Sequence, residues 1–188
     1  MSTTNFYLPV QTIGEPNWIQ KLTTYLENYD IECEGLDSGV LQETEARLDI
    51  KMPEAMWEYY LYFGGIQSSD FMYNLKKPDE WMFLTDTNWS FVKLYFTLPE
   101  ISSMIVFSES PGNDPVCFDK VSGEIYLFSH DPLQKGKIFQ DFTQYLIYEI
   151  METEKLVGDS DFAEKEEEIT AQFLSADTID YALRHIKM

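Results

Sequence analysis

The stretch IKMPEAMWEYYLYFGG, from Ile50 to Gly65, has the pattern of a short, sharply bounded helix that runs into a glycine pair. Its apolar side chains recur at the spacing of one helix face, with Met56, Tyr60 and Phe63 at positions i, i+4 and i+7. A proline suits the first turn of a helix, and a glycine suits the residue just past its end. We therefore predict one short helix between the proline and the glycine pair, and we expect its apolar face to be core.

The glycine pair, Gly64 and Gly65, follows this helix directly. Glycine adopts positive φ angles without steric cost. We expect the pair to use that freedom to reverse the chain tightly into the first strand of a sheet.

Two further helices are predicted upstream. The segment Asn17–Tyr29 is amphipathic, because large apolar side chains recur along one side and polar ones along the other. A second, shorter helix is expected to begin at a cap on Asp37 or Ser38 and to carry Val40, Leu41 and Leu48 into the quoted segment.

The middle of the chain is predicted to form an antiparallel meander. Short runs of aromatic and β-branched residues alternate with turn residues there, and one run contains a hairpin turn at Gly123. The predicted strands are Phe71–Leu75, Trp81–Leu84, Phe91–Phe96, Met104–Phe107, Val116–Asp119 and Glu124–Phe128.

The last third of the chain returns to helical spacing. Residues Phe139–Glu154 are predicted to form a helix that packs on the sheet, and the carboxylate-rich run Gly158–Glu168 follows as a solvated linker. Helical spacing resumes at Ile169–Phe173 and again over residues 179–186. We therefore predict a single domain over residues 1–156, with an N-terminal helix at 17–29 and a core at 40–152, and an acidic linker with a helical extension over residues 157–188.

Negative charge dominates the composition. Thirteen Lys and Arg residues stand against 33 Asp and Glu, which gives a formal net charge of -20 at pH 7. Nucleic acid and anionic membranes carry the same sign, so we expect neither as a partner and favour a basic protein instead. The alternative, that the charge only keeps the protein soluble, stays open. No leader or membrane-spanning stretch is evident, which predicts a cytoplasmic protein.

The sequence offers little organised chemistry. His130, beside Asp131, could take part in acid-base catalysis, but a hydrogen bond at a strand end explains it more simply. Cys33 and Cys117 show neither a disulfide nor a zinc pattern and are expected to be reduced core thiols. The run Ser110–Pro115 lacks the residues of a phosphate or calcium loop. We predict no catalytic residues, no metal and no cofactor, although dispersed carboxylates could include a glycosidase pair.

The order of motifs resembles the SUKH superfamily, which includes Smi/Knr-type cell-wall regulators and many bacterial immunity proteins. The matching segments run between Val40 and Glu152 and are ETEARLDIKMPEAMWEYYLYFGG, IVFSESPGNDPVCFDKVSGEIYLFSHD and FQDFTQYLIYEI. The chain departs from the usual pattern at Met52, where leucine is common, and at the glycine pair, where Asn-Gly is common. The resemblance implies an α+β fold with a twisted antiparallel sheet and helices packed on one side. The long acidic C-terminal extension, predicted to be helical from its spacing, is a further departure from the family pattern.

The same resemblance implies a bacterial immunity protein that binds and neutralises a toxin, and the acidity suggests a basic, nuclease-type toxin. Two alternatives remain at this point. One is a non-enzymatic scaffold of the Smi/Knr type that binds an endogenous protein, and the other is an acidic hydrolase.

Aromatic residues beside carboxylates are good interface anchors, and one variable segment supplies both. The candidate partner-binding residues there are Asp79, Glu80, Trp81, Asp86 and Trp89. Asn113 and Asp114, in the loop before the hairpin, are secondary candidates. The alternative reading is that both tryptophans belong to the core.

Overall fold

The protein combines six helices with five strands in the part of the chain that the computed structural model describes, which is residues 8–66, 71–72, 74–157, 167–168, 170–171 and 173. The helices are α1 (Trp18–Glu27), α2 (Ser38–Leu48), α3 (Glu54–Phe63), α4 (Ser90–Tyr95), α5 (Leu98–Ile101) and α6 (Phe142–Val157). The strands are β1 (Met82–Phe83), β2 (Met104–Glu109), β3 (Pro115–Asp119), β4 (Ile125–His130) and β5 (Leu133–Phe139). Single 3-10 turns lie at Pro78–Glu80 and Leu84–Asp86.

The strands form one antiparallel meander in the order β1-β2-β3-β4-β5. Phe118 pairs with Ile105 on one side and with Ile125 on the other, so side chains of the same face line up across the three central strands. The predicted α+β class with an antiparallel sheet is confirmed. The predicted hairpin is β3 and β4.

The main core lies between one sheet face and the four longer helices, α1, α2, α3 and α6. Met56, Tyr60 and Phe63 of α3 are at most 1% exposed, as the helical spacing predicts. The Asp37 side chain caps α2 by accepting a hydrogen bond from the Gly39 N–H at 2.7 Å. Aromatic rings from α3, the sheet and α6 make edge and tilted contacts throughout this core.

A smaller core covers the opposite sheet face. Met104, Val106, Cys117 and Phe128 point to that side, as period-2 alternation requires. The first residue of the second 3-10 turn and the short helices α4 and α5 close over them through Leu84, Val92 and Ile101. Both cysteines are free; Cys117 is buried in this smaller core, whereas Cys33 is only partly buried.

The strand prediction for Phe91–Phe96 is wrong, because this segment contains helix α4. Val92 and Phe96 lie four residues apart, so a helix turns both toward the smaller core, and the Phe96 N–H donates to the Val92 carbonyl at 3.1 Å. A capping box at Thr97 and Glu100 then begins α5. Tertiary packing therefore overrides the strand propensity of the aromatic residues.

Two other strand predictions need correction, and one strand was missed. Phe71–Leu75 contributes only an isolated bridge from Leu75 to Ser108, and residue 73 lies outside the described residues. Trp81–Leu84 shortens to Met82–Phe83, because Leu84 begins a 3-10 turn. Strand β5 was not predicted, since its lysines interrupt the apolar pattern; Lys135 lies over the rings of Tyr126 and Phe128 instead of pointing into water.

The reason given for the glycine pair is also wrong. Gly64 has φ -69°, and neither glycine is among the residues with positive φ. What both positions require is space: a Cβ on Gly64 would lie 2.5 Å from the Tyr60 ring, and a Cβ on Gly65 would lie 2.9 Å from the Glu34 side chain. Gly65 also donates its N–H to the Glu34 carbonyl at 2.9 Å, which joins the end of α3 to the segment before α2.

Part of the predicted C-terminal extension packs on the domain. Thr170 is 5% exposed, and Phe173 contacts the main core. The acidic run up to residue 166 and the helical spacing over 179–186 lie outside the described residues.

The close approach at Gly64 predicts a cost for any side chain there. Gly64→Ala is expected to lower the free energy of unfolding by about 1–3 kcal/mol, because the new methyl group overlaps Tyr60. Urea denaturation measures this change in the free energy of unfolding. The matched control is Gly112→Ala, whose Cβ would meet nothing closer than 3.6 Å and which should change stability by less than about 0.5 kcal/mol. Equal effects at the two positions would contradict the packing explanation.

Candidate partner-binding surface

An acidic groove with a volume of about 460 Å³ runs along the β1 edge of the sheet. Its lining includes three carboxylates, from Glu80, Asp86 and Glu109, and one ammonium group, from Lys76. Lys76 and Glu109 form an ion pair, so the carboxylates of Glu80 and Asp86 are left in excess. The exposed side chain of Met82 and the edge of Trp89 supply apolar surface in the same groove.

The 3-10 turn that carries Glu80 is held from two sides. Arg47 of α2 donates to the Trp81 carbonyl at 2.8 Å and to the Pro78 carbonyl at 2.9 Å. The Glu80 carboxylate accepts from the Lys77 N–H at 3.0 Å. These charge-assisted hydrogen bonds fix the turn against α2 and so fix one wall of the groove.

Trp89 connects this groove to the loop before β3. Its indole N–H donates to the Asn113 carbonyl at 3.1 Å. The next residue, Asp114, is 6% exposed and accepts two hydrogen bonds from His130, from the backbone N–H at 3.1 Å and from ring Nδ1 at 2.6 Å. The ring of Phe91 lies 5.9 Å from the His130 ring. Three predicted residues, Trp89, Asn113 and Asp114, therefore belong to one cluster.

The hydrogen bond to Asp114, reinforced by its negative charge, raises the pKa of His130 above its ordinary value. Because the His130 side chain is about half exposed, water screens this pairing, and its net contribution to stability is small. The positive charge on His130 is retained below its raised pKa and is lost as the pH rises through it.

An exposed apolar ledge adjoins Trp89 on helices α4 and α5. It consists of Leu94, Tyr95 and Leu98, whose side chains are 73%, 63% and 67% exposed. Isolated exposed apolar residues are ordinary, whereas three within five residues concentrate exposed apolar area in one segment, which suits a protein contact. The sequence prediction missed this ledge because it treated residues 91–96 as a strand.

The structure separates the predicted partner-binding residues into distinct roles. Glu80, Asp86 and Trp89 share the groove, whereas Asp79 is exposed on the 3-10 turn without lining it. The structure corrects the prediction that Trp81 binds a partner. The side chain is 1% exposed, and its ring centroid lies 5.3 Å from the ring centroids of both Tyr60 and Phe118. It is a core residue, and it cannot contact a partner directly.

Among residues 8–66, 71–72, 74–157 and the five described positions beyond, no group of three His, Cys, Asp or Glu side chains is placed to hold a metal ion. Within the same part of the chain, no helix combines the length and apolar character needed to span a bilayer. The groove and ledge combine charge with exposed apolar area, which is the chemistry of a binding surface.

The two tryptophans are expected to respond differently to truncation. Trp81→Ala should reduce the free energy of unfolding by about 3–5 kcal/mol, because it removes a fully buried ring from the main core. Trp89→Ala removes a partly exposed ring and should cost less than about 2 kcal/mol. Thermal and urea unfolding of both variants measure the difference. A Trp89 variant as unstable as the Trp81 variant would contradict this assignment.

The pairing of His130 with Asp114 predicts a shifted titration. NMR titration of the ring protons should give His130 a pKa above 6.5, the usual value for histidine. Asp114→Asn should lower that pKa, because the neutral amide no longer favours the charged imidazole. An unshifted His130 in the unaltered protein, or the same pKa in the variant, would show that the pair does not form in solution.

A family model described as the SMI1 / KNR4 family (SUKH-1) matches residues 35–148, from the segment before α2 into α6. No curated protein and no solved structure matches the chain. The match covers more than half of the sequence, including the whole sheet and the groove. The chain therefore belongs to the SMI1 / KNR4 family, SUKH-1, a membership that suggests protein–protein interaction.

Proposed function

We propose that this protein is a bacterial immunity protein that binds and neutralises a basic, nuclease-type toxin domain. The observation that carries the proposal is the groove in which Glu80 and Asp86 lie beside Trp89 and the apolar ledge. Family membership supports a role in protein binding, and the net charge of -20 supports a basic partner.

Charge and apolar area have different tasks in this proposal. The long-range field attracts a positively charged partner and raises the association rate, while screening by salt lowers it. Aromatic and aliphatic anchors such as Trp89, Tyr95 and Leu94 then supply most of the affinity once water is excluded. A toxin that cuts nucleic acid needs a basic substrate groove, so a carboxylate-rich surface placed over that groove would block substrate access.

The second candidate function is a regulatory scaffold of the Smi/Knr type that binds an endogenous protein. The family match favours it as directly as it favours an immunity protein. The same groove and ledge would serve both functions. We also propose that the protein is not an enzyme and that it acts in the cytoplasm; turnover of a glycan or ester that single Asp or Glu substitutions abolish would favour the hydrolase alternative instead.

A co-expression experiment tests the proposal. The protein is expressed with the product of its neighbouring gene, and growth rescue is scored together with complex formation on gel filtration. We expect rescue, a stable complex, and an association rate that falls about tenfold or more between low and high salt. Failure to rescue, with no complex formed, would contradict the immunity function and favour the scaffold.

Matched variants locate the surface. Asp86→Lys reverses one charge in the groove and is expected to weaken the complex about tenfold or more. Glu43→Lys makes the same charge change on the exposed surface of α2 and serves as the control. Leu94→Ala should weaken binding without loss of stability, because that side chain is 73% exposed. If Asp86→Lys and Glu43→Lys have equal effects, the groove is not the contact site.

A further inference from the structure

A second concave site lies between α6 and the sheet, with a cavity volume of about 180 Å³. Its floor is apolar and is formed by Val116, Leu127, Ile138 and Phe139. The rings of Tyr145 and Tyr148 stand beside this floor. The volume is well below the roughly 300 Å³ at which sites for drug-sized ligands begin, so the cavity suits a single side chain.

Three carboxylates line this apolar cavity, and two of them already have a cation. Glu109 pairs with Lys76, and Glu152 pairs with Lys155 at 2.6 Å. The third, Glu149, has no ion-pair partner among the described residues; the Tyr145 hydroxyl and the Met72 N–H are its hydrogen-bond partners. A carboxylate in apolar surroundings without a cation is costly when ionised.

We propose that this cavity binds the side chain of a lysine presented by the protein partner, with the ammonium group at Glu149 and the methylene stem on the apolar floor. The proposal rests on the proposed function and adds the chemistry of one partner residue. A lysine fits because it combines a four-carbon apolar stem with a compact charged end. Aromatic faces such as Tyr145 and Tyr148 add attraction for a cation, while anionic ligands would meet three carboxylates.

The cavity neighbours the candidate partner-binding surface. Glu109, at the end of β2, lines both the cavity and the acidic groove. A partner seated on the groove can therefore place a lysine in the cavity without leaving that surface.

Binding should be coupled to a proton. Burial, reinforced by the negative charge of Glu152, raises the pKa of Glu149 to about 7, against the opposing hydrogen bonds from Tyr145 and Met72. A lysine ammonium, with a reference pKa near about 10.4, stays charged over the whole range. Because the lysine ammonium favours ionised Glu149, the affinity of the lysine side chain should rise as the pH increases from 5.5 to 8. Below pH 7, lysine binding should release a proton from Glu149.

The test uses the full chain and Nα-acetyl-lysine methylamide as the probe, with NMR shift changes as the readout. We expect saturable binding with a Kd on the order of 1–10 mM, as is reasonable for so small a ligand. The Nε-acetylated probe, which lacks the charge, should bind at least about tenfold more weakly. Affinity for the charged probe should increase about tenfold between pH 5.5 and pH 8.

Two variants complete the test. Glu149→Gln should weaken the charged probe about tenfold or more and remove the pH dependence, because it deletes the titrating carboxylate. Glu43→Gln, the same chemical change on the exposed surface of α2, should leave binding unchanged. Equal binding of both probes, or no pH dependence in the unaltered protein, overturns the proposal without recourse to any variant.

Binding measurements on the partner complex distinguish a failure of this inference from a failure of the proposed function. If Asp86→Lys weakens the complex but Glu149→Gln does not, the lysine site is wrong and the immunity function stands. If the probe binds as expected but no partner is captured, the proposed function fails while the ammonium chemistry of the cavity stands.

Discussion

The backbone carbonyl of Lys76 is the point at which the core and the candidate surface are joined. It accepts a hydrogen bond from the Tyr60 hydroxyl at 2.8 Å and another from the Trp81 indole N–H at 3.2 Å. The Lys76 N–H in turn donates to the Phe107 carbonyl of β2 at 2.8 Å. Helix α3, the 3-10 turn and the sheet are thus held together at one residue, whose own side chain lines the acidic groove. A buried polar group left without these partners would cost free energy, so these hydrogen bonds strongly favour this one arrangement of α3, the 3-10 turn and the sheet.

The position of Trp81 explains how a core residue can control a surface that it does not touch. Its ring packs between Tyr60 and Phe118, while its carbonyl accepts from Arg47. The neighbouring carboxylates of Asp79 and Glu80 are then presented on the outside of the same turn. Packing therefore determines where the charges lie, and the carboxylates of Glu80 and Asp86 determine what kind of partner this surface attracts. The ledge on α4 and α5 adds apolar contact area next to them.

Local patterns were sufficient for some elements. Met56, Tyr60 and Phe63 show helical spacing within one short segment, so α3 and its buried face could be predicted, as could the β3–β4 hairpin around Gly123. Helix α4 could not be predicted, because Val92 is buried and Phe96 partly buried against a sheet face that only the folded chain provides. The pairing of Asp114 with His130 also depends on the β3–β4 register, since the two residues are 16 positions apart. For the same reason, sequence could not show that Trp81 is buried and Trp89 partly exposed.

Hydrogen-exchange mass spectrometry of the protein with and without its partner can show where the partner binds. If the groove and ledge form the binding surface, amides of residues 76–98 and of the loop at 110–114 should gain protection in the complex. Amides on the exposed side of α2 should exchange at the same rate in both states. Protection confined to α1 and α2, with residues 76–98 unchanged, would contradict the account.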